Sequence, residues 1–513
     1  MPTPVIIDTD PGVDDILALL YALASPELEV LAIIVSYGNT DIEHAYTNII
    51  KLYSTLHAHF SLHPSDKDRF PNFIPKSPDH KPFLARGADR PLEGDIHNAQ
   101  YFHGRDGLGN ISALYPTLFS SSSEPSPNSI PLLSEDLLSQ YLTPTSQPAP
   151  DLVLDILRSH HPRSITYIAL GPLTNLYLAA SKEGGTDLIR ERIGRIVIMG
   201  GALDVPGNTN PVAEFNFFAD PYAVKELLVS SSSSSSEKEN EKGKGGNNET
   251  GETLPLLPLD RVLLLPLDIT TPHELRFPKY TKYIDPSFVR ITDPSDGVKQ
   301  IDPNIEVQGN LIRCFTSAFL RRTREVMIEF GKDAMELHDI VAVWFAVQNP
   351  PLPDPTPSTP EEGNTINVND SLRDGWKARR RVFEVERKGE ITRGMLVVDR
   401  RSEGMASATT EYKGNTPESD KELKKKNKQA EEASIPAPVQ VENAEEAQWL
   451  DRHHHHAEQR EQEEEGGRDG EQDTEGVPCV VKTPGCSALV LSMCMRIWGC
   501  RLENSGEVRD MNM

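Results

Sequence analysis

The first chemically distinctive stretch of the chain is VIIDTDPGVDD at residues 5–15, in which four carboxylates follow an apolar run. These are Asp8, Asp10, Asp14 and Asp15, and no lysine, arginine or histidine lies among them. Because like charges repel strongly away from water, such a cluster tolerates burial only with protons or a multivalent cation. Carboxylate oxygens favour Ca²⁺ or Mg²⁺ over softer metals. The stretch therefore indicates a hard-cation site, unless it is a surface helix start with ordinary capping acids.

Two classes of protein carry a pattern similar to this opening. An EF-hand loop needs a glutamate at its twelfth position, which counting from Asp8 is Leu19, so that pattern fails. An aspartyl phosphotransferase has an apolar strand followed by D-x-D, which Asp8 and Asp10 satisfy, with Asp8 as the nucleophile. On the opening alone the phosphotransferase interpretation stays open, although no threonine follows D-x-D-P-G.

The elements that must position these carboxylates are visible in the hydrophobic pattern. Residues 4–8 indicate a short buried strand, and DDILALLYALAS after them has apolar residues at helical spacing. Further strand patterns follow at LEVLAIIV, 164–172, 195–201 and 261–270, with helical patterns between or after them. This alternation predicts an α/β fold: a single large domain with a mainly parallel central sheet, helices on both faces and the site at the strand carboxyl ends.

Polar loops come directly after the predicted strands. They are DTDPGVDD, SYGN, LGPLTN, MGG and PLDIT. Because the carboxyl ends of parallel strands meet at one edge of a sheet, these loops are expected to converge. The chain is therefore predicted to carry one polar site along that edge.

The composition argues against several classes of function. A net charge of −25 disfavours a nucleic-acid partner held through phosphate contacts. The sequence has no run of about 18 apolar residues, so no membrane span and no membrane partner are expected. Four of the five cysteines come after residue 478 and no signal-peptide pattern is visible, which predicts a reducing, cytoplasmic location.

The mean hydropathy of −0.44 is low for a compact globule and indicates polar segments outside the core. Residues 401–475 alone hold 20 Asp and Glu against 10 Lys and Arg, and they cannot bury enough apolar surface to order themselves. The predicted organisation is a catalytic domain at 1–401 with low-complexity insertions at about 120–150, 230–254 and 350–370, a disordered acidic tail at 402–476, and a cysteine-containing segment at 477–513 without an assigned role.

An ordered set of motifs over roughly residues 1–400 carries a resemblance. The motifs are DTDPGVDD (8–15), YGN (37–39), HGRDGLGN (103–110), LGPLTN (170–175), MGGA (199–202), GNTNPVAEFNFFADP (207–221), PLDIT (266–270), LHD (337–339) and VERKGEITRGMLVVDRR (385–401). With this set the chain resembles the inosine–uridine-preferring nucleoside hydrolase family. The phosphotransferase interpretation recedes, because that class does not explain the later motifs.

The resemblance implies a Ca²⁺-dependent reaction that hydrolyses the N-glycosidic bond of a small-molecule ribonucleoside to free base and ribose. It implies that Asp10, Asp15 and Asp339 supply carboxylate ligands to the ion and that Leu170 supplies a backbone carbonyl. Asp10 corresponds to the general base that activates water, and His338 to the acid that assists departure of the base. The positions that correspond to ribose contacts are Asp14, Asn39, Asn208, Glu214 and Asn216.

Several points stay open at this level. The long insertions and the acidic tail motivate an alternative, a catalytically weak regulatory protein that binds a nucleoside or ribose on the same fold. Family members form dimers or tetramers, and no feature of this sequence chooses between these homo-oligomers. The segment 275–335, which should hold a lid over the base, matches no pattern, and Tyr280 and Tyr283 are equally compatible with a lid or with ordinary packing. The base preference is therefore not predicted.

Overall fold

The computed structural model describes most of the chain outside residues 401–475. The described residues are 1–77, 80–115, 118–120, 130–229, 231–232, 252–288, 310–351, 368–400, 476–502 and 508–510. Nearly all of the predicted acidic tail at 402–476, and most of the predicted insertions at 230–254 and 350–370, lie outside the described residues. One compact unit comprises Met1–Val398 together with Thr474–Met513.

A central sheet organises that unit. Within the described residues it has nine strands, labelled in chain order: β1 Thr3–Thr9, β2 Leu28–Val35, β3 Phe83–Arg86, β4 Thr143–Thr145, β5 Ile165–Ala169, β6 Ile193–Met199, β7 Val262–Leu265, β8 Lys377–Arg381 and β9 Val477–Lys482. Their spatial order is β8-β9-β7-β6-β5-β1-β2-β3-β4. All neighbouring pairs are parallel except β8 with β9, so the predicted α/β class with a mainly parallel sheet is confirmed.

Alternating side chains of the strands feed two separate cores, one on each face of the sheet. In β1, Val5 and Ile7 belong to one core and Ile6 to the other, because successive residues of a strand point to opposite faces. All three are fully buried, which explains why β1 is a continuous apolar run rather than an alternating one. The sheet therefore needs helices on both faces.

The helices of seven residues or more supply that cover. They are α1 Val13–Leu23, α2 Ile42–Leu62, α3 Ala149–Ser159, α4 Thr174–Ala180, α5 Gly185–Arg192, α6 Pro221–Leu228, α7 Phe277–Tyr283, α8 Leu311–Glu329, α9 His338–Gln348 and α10 Cys486–Trp498. Apolar residues of α1, α2, α7, α8, α9 and α10 join the core of Val5, whereas those of α3 to α6 join the core of Ile6. Side-chain caps define some starts: the Asp41 carboxylate accepts the N–H groups of Glu43 and His44 before α2.

Short elements complete the described part. Helices of four or five residues span Gln100–His103, Ile111–Leu114, Glu135–Leu138, Phe215–Ala219 and Leu267–Thr270, and 3₁₀ turns span Pro64–Arg69, Leu259–Arg261 and Val368–Ser371. Two-stranded pairs join Phe119–Ser120 to Ile130–Pro131, Ser231–Ser232 to Glu252–Thr253, Glu274–Arg276 to Ala334–Glu336, Glu384–Val385 to Leu396–Val397, and Cys500–Leu502 to Val508–Asp510. Among the described residues, no helix combines the length and the apolar character needed to cross a bilayer.

The structure differs from the sequence-based expectation at three places. The strand expected over 261–270 ends at Leu265, because Pro266 has no N–H for the ladder, and Leu267–Thr270 is helical. The segment 120–150, predicted as an insertion, contains the edge strand β4. The segment 477–513, for which no role was predicted, supplies β9 between β7 and β8 as well as helix α10. These pairings are with residues distant in sequence, which local patterns do not report.

Candidate active site

A cavity of about 530 Å³ opens along the carboxyl edge of the sheet. Eight of the ten predicted site residues line it: Asp14, Asn39, Leu170, Asn208, Glu214, Asn216, His338 and Asp339. The other two, Asp10 and Asp15, are almost completely buried at 1 % and 0 % exposure. The loops after β1, β2, β5 and β6 and the start of α9 thus bring the separate sequence motifs to one place.

The loop from β1 to α1 is held by the side chain of Asp15. Its Oδ1 accepts the Thr9 hydroxyl at 2.6 Å and the Asp10 N–H at 3.2 Å, and its Oδ2 accepts the Gly12 N–H at 3.0 Å. The side-chain amide of Asn39 also donates to Oδ2 at 2.8 Å. These four hydrogen bonds fix the Asp15 carboxylate in place, so Asp15 determines the shape of the loop.

The carboxylate of Asp10 lies between two glycine backbones. A Cβ at Gly38 would come within 2.0 Å of Asp10 Oδ2, and a Cβ at Gly171 within 2.6 Å of Oδ1. The glycines of YGN and LGPLTN are therefore required for close approach to this carboxylate. Asp10 Oδ2 accepts the Asn39 N–H at 2.7 Å, whereas Oδ1 is buried and has no hydrogen-bond partner within the described residues.

Asp339 comes to the same cluster from far along the chain. It lies in the first turn of α9, and its carboxylate forms a group with Asp14 and Asp15 whose ligand atoms are all within 4.8 Å of one another. Burial raises the pKa of Asp339 well above its ordinary value, and the charges of Asp14, Asp15 and Asp10 raise it further. Burial and then the charge of Asp15 likewise raise the pKa of Asp14 to about 7.

This cluster fits a hard divalent cation. Its donors are carboxylate oxygens, and Asp14 Oδ1 is buried without a hydrogen-bond partner among the described residues. Asp10, which was predicted as a ligand, is not part of the group of ligand atoms within 4.8 Å, although its Oδ1 is likewise buried without a partner among the described residues. Buried anionic oxygens without a partner are costly unless a positive charge compensates them. Asp14 belongs to the tight group although it was predicted as a ribose contact, and the Leu170 carbonyl, predicted as a ligand, accepts the side-chain amide of Asn216 at 2.6 Å.

The segment after β6 forms the wall of the cavity that contains Asn208, Glu214 and Asn216. The Glu214 carboxylate accepts the backbone N–H groups of Gly201, Asn216 and Phe217 at 2.8–3.0 Å, which fixes its position at the start of the helix Phe215–Ala219. Burial raises the pKa of Glu214, and these backbone donors oppose the change. Asn208 Oδ1 accepts the Phe215 N–H at 3.0 Å, so the wall is held from both ends.

His338, the first residue of α9, has both ring nitrogens in hydrogen bonds. Its Nε2 lies 3.1 Å from Glu336 Oε2, and its Nδ1 lies 2.8 Å from the Thr270 hydroxyl. Burial on its own lowers the pKa of His338, but the hydrogen bond and charge of Glu336, followed by Asp14, outweigh it and raise the pKa overall. Burial on its own raises the pKa of Glu336, yet His338 and Lys332 lower it to about 2.

Glu336 and Lys332 line the cavity and were not predicted from sequence. Lys332 Nζ donates to Glu336 Oε1 at 2.6 Å and lies 3.3 Å from Glu274. The sequence carried one signal for Glu336, namely a carboxylate only two positions before His338. Lys332 lies in the turn before this strand and had no such signal.

The structure also shows the positions of His103 and Tyr280. His103 lines the cavity, and its Nδ1 accepts the Val13 N–H at 3.1 Å, so it also holds the first turn of α1. Tyr280 is fully buried, with its hydroxyl 2.9 Å from that of Thr316 and its ring edge on Trp498, so it is a packing residue and not a lid residue. Residues 289–309 of the predicted lid region lie outside the described residues.

The family model of the inosine-uridine preferring nucleoside hydrolases matches residues 5–432, which is most of this chain. The chain therefore belongs to the inosine-uridine preferring nucleoside hydrolase family. The ordered motifs from the opening carboxylates to LHD all fall within the matched residues.

Individual relatives agree with this assignment. The chain is 31 % identical over 223 residues to an inosine-uridine preferring nucleoside hydrolase of Leishmania major, which is 44 % of this chain and 56 % of the relative. It is 32 % identical over 228 residues to uridine nucleosidase 1 of Arabidopsis thaliana, 44 % of this chain and 53 % of the relative. For the pyrimidine-specific ribonucleoside hydrolase RihA of Klebsiella pneumoniae the identity is 34 % over 232 residues, 45 % of this chain and 58 % of the relative. The chain thus spans little more than half the length of these relatives.

A solved structure has the same fold. The structure of a plant nucleoside hydrolase, the PpNRh1 enzyme, matches with a TM-score of 0.51 over 97 % of this chain and 99 % of that chain. The sequence identity is 19 %, so the likeness concerns the fold alone.

Proposed function

We propose that this protein hydrolyses the N-glycosidic bond of ribonucleosides and releases a free base and ribose. The observation that carries the proposal is the meeting of the opening carboxylates with Asp339 beside a cavity that Asn39, Glu214 and Asn216 also line. Such a bond breaks through an oxocarbenium-like state, and it needs an activated water, a held ribose and a proton for the departing base. The cysteine usage of the chain supports a cytoplasmic location for this activity.

Asp10 is the proposed general base. Its Oδ2 is fixed by the Asn39 N–H at 2.7 Å, and its Oδ1 has no partner among the described residues and can accept a proton. Burial, followed by the charge of Asp15, raises the pKa of Asp10 well above its ordinary value. Because a bound cation opposes this rise, the proposed role of Asp10 as base rests on the position of its unpartnered Oδ1 and not on the pKa.

The proposed cofactor is Ca²⁺, held by Asp10, Asp15 and Asp339 with the Leu170 carbonyl, and the tight group supports adding Asp14 to this set. The Leu170 oxygen accepts one hydrogen bond from Asn216 and keeps a second lone pair. When bound, such an ion compensates the carboxylates and lowers the pKa of water. An oxygen-only donor set supports Ca²⁺ over softer metals.

The ribose would be bound by Asp14, Asn39, Asn208, Glu214 and Asn216. All of these line the cavity, and together they offer both acceptors and donors for the hydroxyl groups of a sugar. The backbone bonds to Glu214 and the bond from Phe215 to Asn208 keep this wall rigid without using the substrate. Rigid positioning of the sugar supplies a large part of the rate in reactions of this kind.

His338 is the proposed acid for the departing base. Glu336 raises the pKa of His338 against the effect of burial, which favours the protonated ring that an acid needs. The Thr270 hydroxyl holds the other ring nitrogen at 2.8 Å and limits rotation of the ring. A proton passed from His338 to a ring nitrogen of the base turns the base into a neutral leaving group.

The test is a panel of uridine, inosine, cytidine, adenosine and nicotinamide riboside, each incubated with purified protein and Ca²⁺. Release of reducing sugar from at least one nucleoside is expected, and Asp10→Ala in the same panel should release it at least about a hundredfold more slowly. If the wild-type protein produces no reducing sugar from any of the five, the hydrolase proposal is abandoned. Calorimetry in the same samples identifies the alternative, a protein that binds nucleoside or ribose without hydrolysis.

A further inference from the structure

We infer that the C-terminal segment 476–502 is a positioning element of the active site, in which Thr483 fixes the turn that delivers His338 and Asp339. The inference rests on the proposed function for its kinetic consequence. The residues concerned lie beyond position 432, where the family match ends. No role was predicted for them from the sequence.

His338 and Asp339 reach the site through a two-stranded ribbon. The strand Glu274–Arg276 pairs with Ala334–Glu336, with Glu274 opposite Glu336. At the end of this ribbon the Leu337 N–H donates to the His273 carbonyl at 2.8 Å, directly before His338 begins α9. The position of His273 therefore sets where the chain enters α9, and with it the places of the proposed acid and of a proposed ligand.

The side chain of His273 is in turn held by the C-terminal segment. His273 is 3 % exposed, its Nδ1 lies 2.9 Å from the Ile269 carbonyl and its Nε2 lies 2.8 Å from the Thr483 hydroxyl. Because a carbonyl only accepts, Nδ1 carries the proton and Nε2 accepts the hydroxyl proton of Thr483. The Thr483 oxygen also accepts the Gly485 N–H at 3.1 Å, which orients the hydroxyl.

A second contact joins the segment to the next residue of the ribbon. The Glu274 N–H donates to Cys486 Sγ at 3.2 Å, and the Cys486 thiol lies 3.5 Å from the Glu274 carbonyl. Glu274 also lies 3.3 Å from Lys332, which donates to Glu336 beside His338. Two consecutive residues, His273 and Glu274, are thus fixed by the C-terminal segment.

The segment itself is anchored to the framework, so it can hold a neighbour in place. Strand β9 pairs with β7 on one side and with β8 on the other. Helix α10 is tied to α1 by a 2.8 Å hydrogen bond between the hydroxyls of Ser492 and Tyr21, and Arg496 forms a bidentate pair with Glu27. The turn between β9 and α10, which contains Thr483, therefore has fixed ends.

The experiment compares three variants of the full-length protein. Thr483→Val removes the hydroxyl with little change of volume. Thr483→Ser keeps the hydroxyl and removes only the methyl group. Ser492→Ala is the matched control. The control loses a hydroxyl contact of the same 2.8 Å length in the same segment, but to α1 and not to the ribbon. The pairing of β9 and the Arg496–Glu27 ion pair still anchor the segment in this control. Nucleoside hydrolysis, Ca²⁺ affinity by calorimetry and the melting temperature are measured for each.

Thr483→Val should lower kcat about tenfold and weaken Ca²⁺ binding by a similar factor, because groups that orient ligands and catalytic residues typically contribute this much. Thr483→Ser should keep kcat and Ca²⁺ affinity near the wild-type values. Ser492→Ala should lower only the melting temperature. The inference is overturned if Thr483→Val loses melting temperature as the control does while kcat and Ca²⁺ affinity stay unchanged.

The two proposals fail in different ways. A wild-type protein that binds Ca²⁺ without hydrolysing any nucleoside overturns the proposed function, and the Ca²⁺ affinities of the variants then decide the positioning role alone. A wild-type protein that neither binds Ca²⁺ nor hydrolyses a nucleoside overturns both, because no working site would remain to be positioned.

Discussion

Replacement of Asp8 by asparagine should stabilise the protein above neutral pH and leave catalysis intact. Asp8 is 1 % exposed, and its carboxylate accepts the Tyr167 hydroxyl at 2.7 Å and the Asn175 amide at 2.8 Å. Burial raises the pKa of Asp8 to about 7, although these two hydrogen bonds oppose the change. The charged form of Asp8 is therefore the costly form inside the protein.

The size and sign of the effect follow from that pKa. In the unfolded chain Asp8 loses its proton near 3.8, whereas in the folded protein it keeps the proton up to about 7. Between these values the folded state binds more protons, so the contribution of Asp8 to stability falls as pH rises and is fully lost above about pH 7. A change from 3.8 to about 7 corresponds to at most about 4 kcal/mol in the free energy of unfolding.

An asparagine keeps both contacts. Its oxygen accepts from Asn175, and its amide donates to the oxygen of the Tyr167 hydroxyl, which reverses the direction of the bond that the Asp8 carboxylate accepts. The assay is urea unfolding of wild type and Asp8→Asn at several pH values from about 4 to about 8, with saturating Ca²⁺ throughout. The advantage of the variant should grow with pH up to a plateau of a few kcal/mol. Asp8→Ala, the control, leaves two buried donors without a partner and should destabilise at every pH.

A difference between wild type and Asp8→Asn that does not change with pH would refute this reasoning, because Asp8 would then titrate alike in both states. The same samples test the nucleophile interpretation of the opening motif. Asp8 does not line the cavity and is directed to Tyr167 and Asn175, so Asp8→Asn should retain nucleoside hydrolysis. Loss of turnover in a stable variant would assign Asp8 a direct role.

Three further predictions concern the site itself. Asp10→Ala should fold and should lose about 10²–10⁴-fold in kcat, because it removes the proposed base, and near-native turnover in single-turnover kinetics would contradict that role. Removal of Ca²⁺ with a chelator should lower the melting temperature, whereas Ca²⁺ at a hundredfold excess over Kd should restore about 3 kcal/mol, and a melting temperature indifferent to Ca²⁺ would exclude a tightly held ion. His338→Ala should slow the release of poor leaving groups most, and equal slowing with an activated nitrophenyl riboside would show that His338 is not the acid.

Much of the fold and of the candidate site could be predicted because the responsible signals are local. The apolar run of β1 and the helical spacing of α1 each lie within a dozen residues, and the strand and the helix that they predict are present. Since parallel strands end at a common edge, the motifs after β1, β2, β5 and β6 had to come together once the alternation of strands and helices was recognised. Eight predicted residues accordingly line one cavity.

Local signals did not report contacts between distant segments. Glu336 and Lys332 join the site through a ribbon whose partner strand is about sixty residues earlier in the sequence. Thr483, which holds His273 at the start of that ribbon, comes after residues 401–475 in the sequence. The short strands β3, β4 and β9 likewise depend on neighbours that no pattern within a few residues can specify.

The sequence by itself determined the chemistry available to this protein: closely spaced carboxylates, a histidine and amides, placed at the ends of buried strands. The tertiary structure alone decided which of these oxygens face one another, because the group of Asp14, Asp15 and Asp339 depends on how α9 packs against the opening loop. Residue types and local periodicity are encoded within a few turns of chain, whereas distances between side chains far apart in sequence are set by the packing of the whole core.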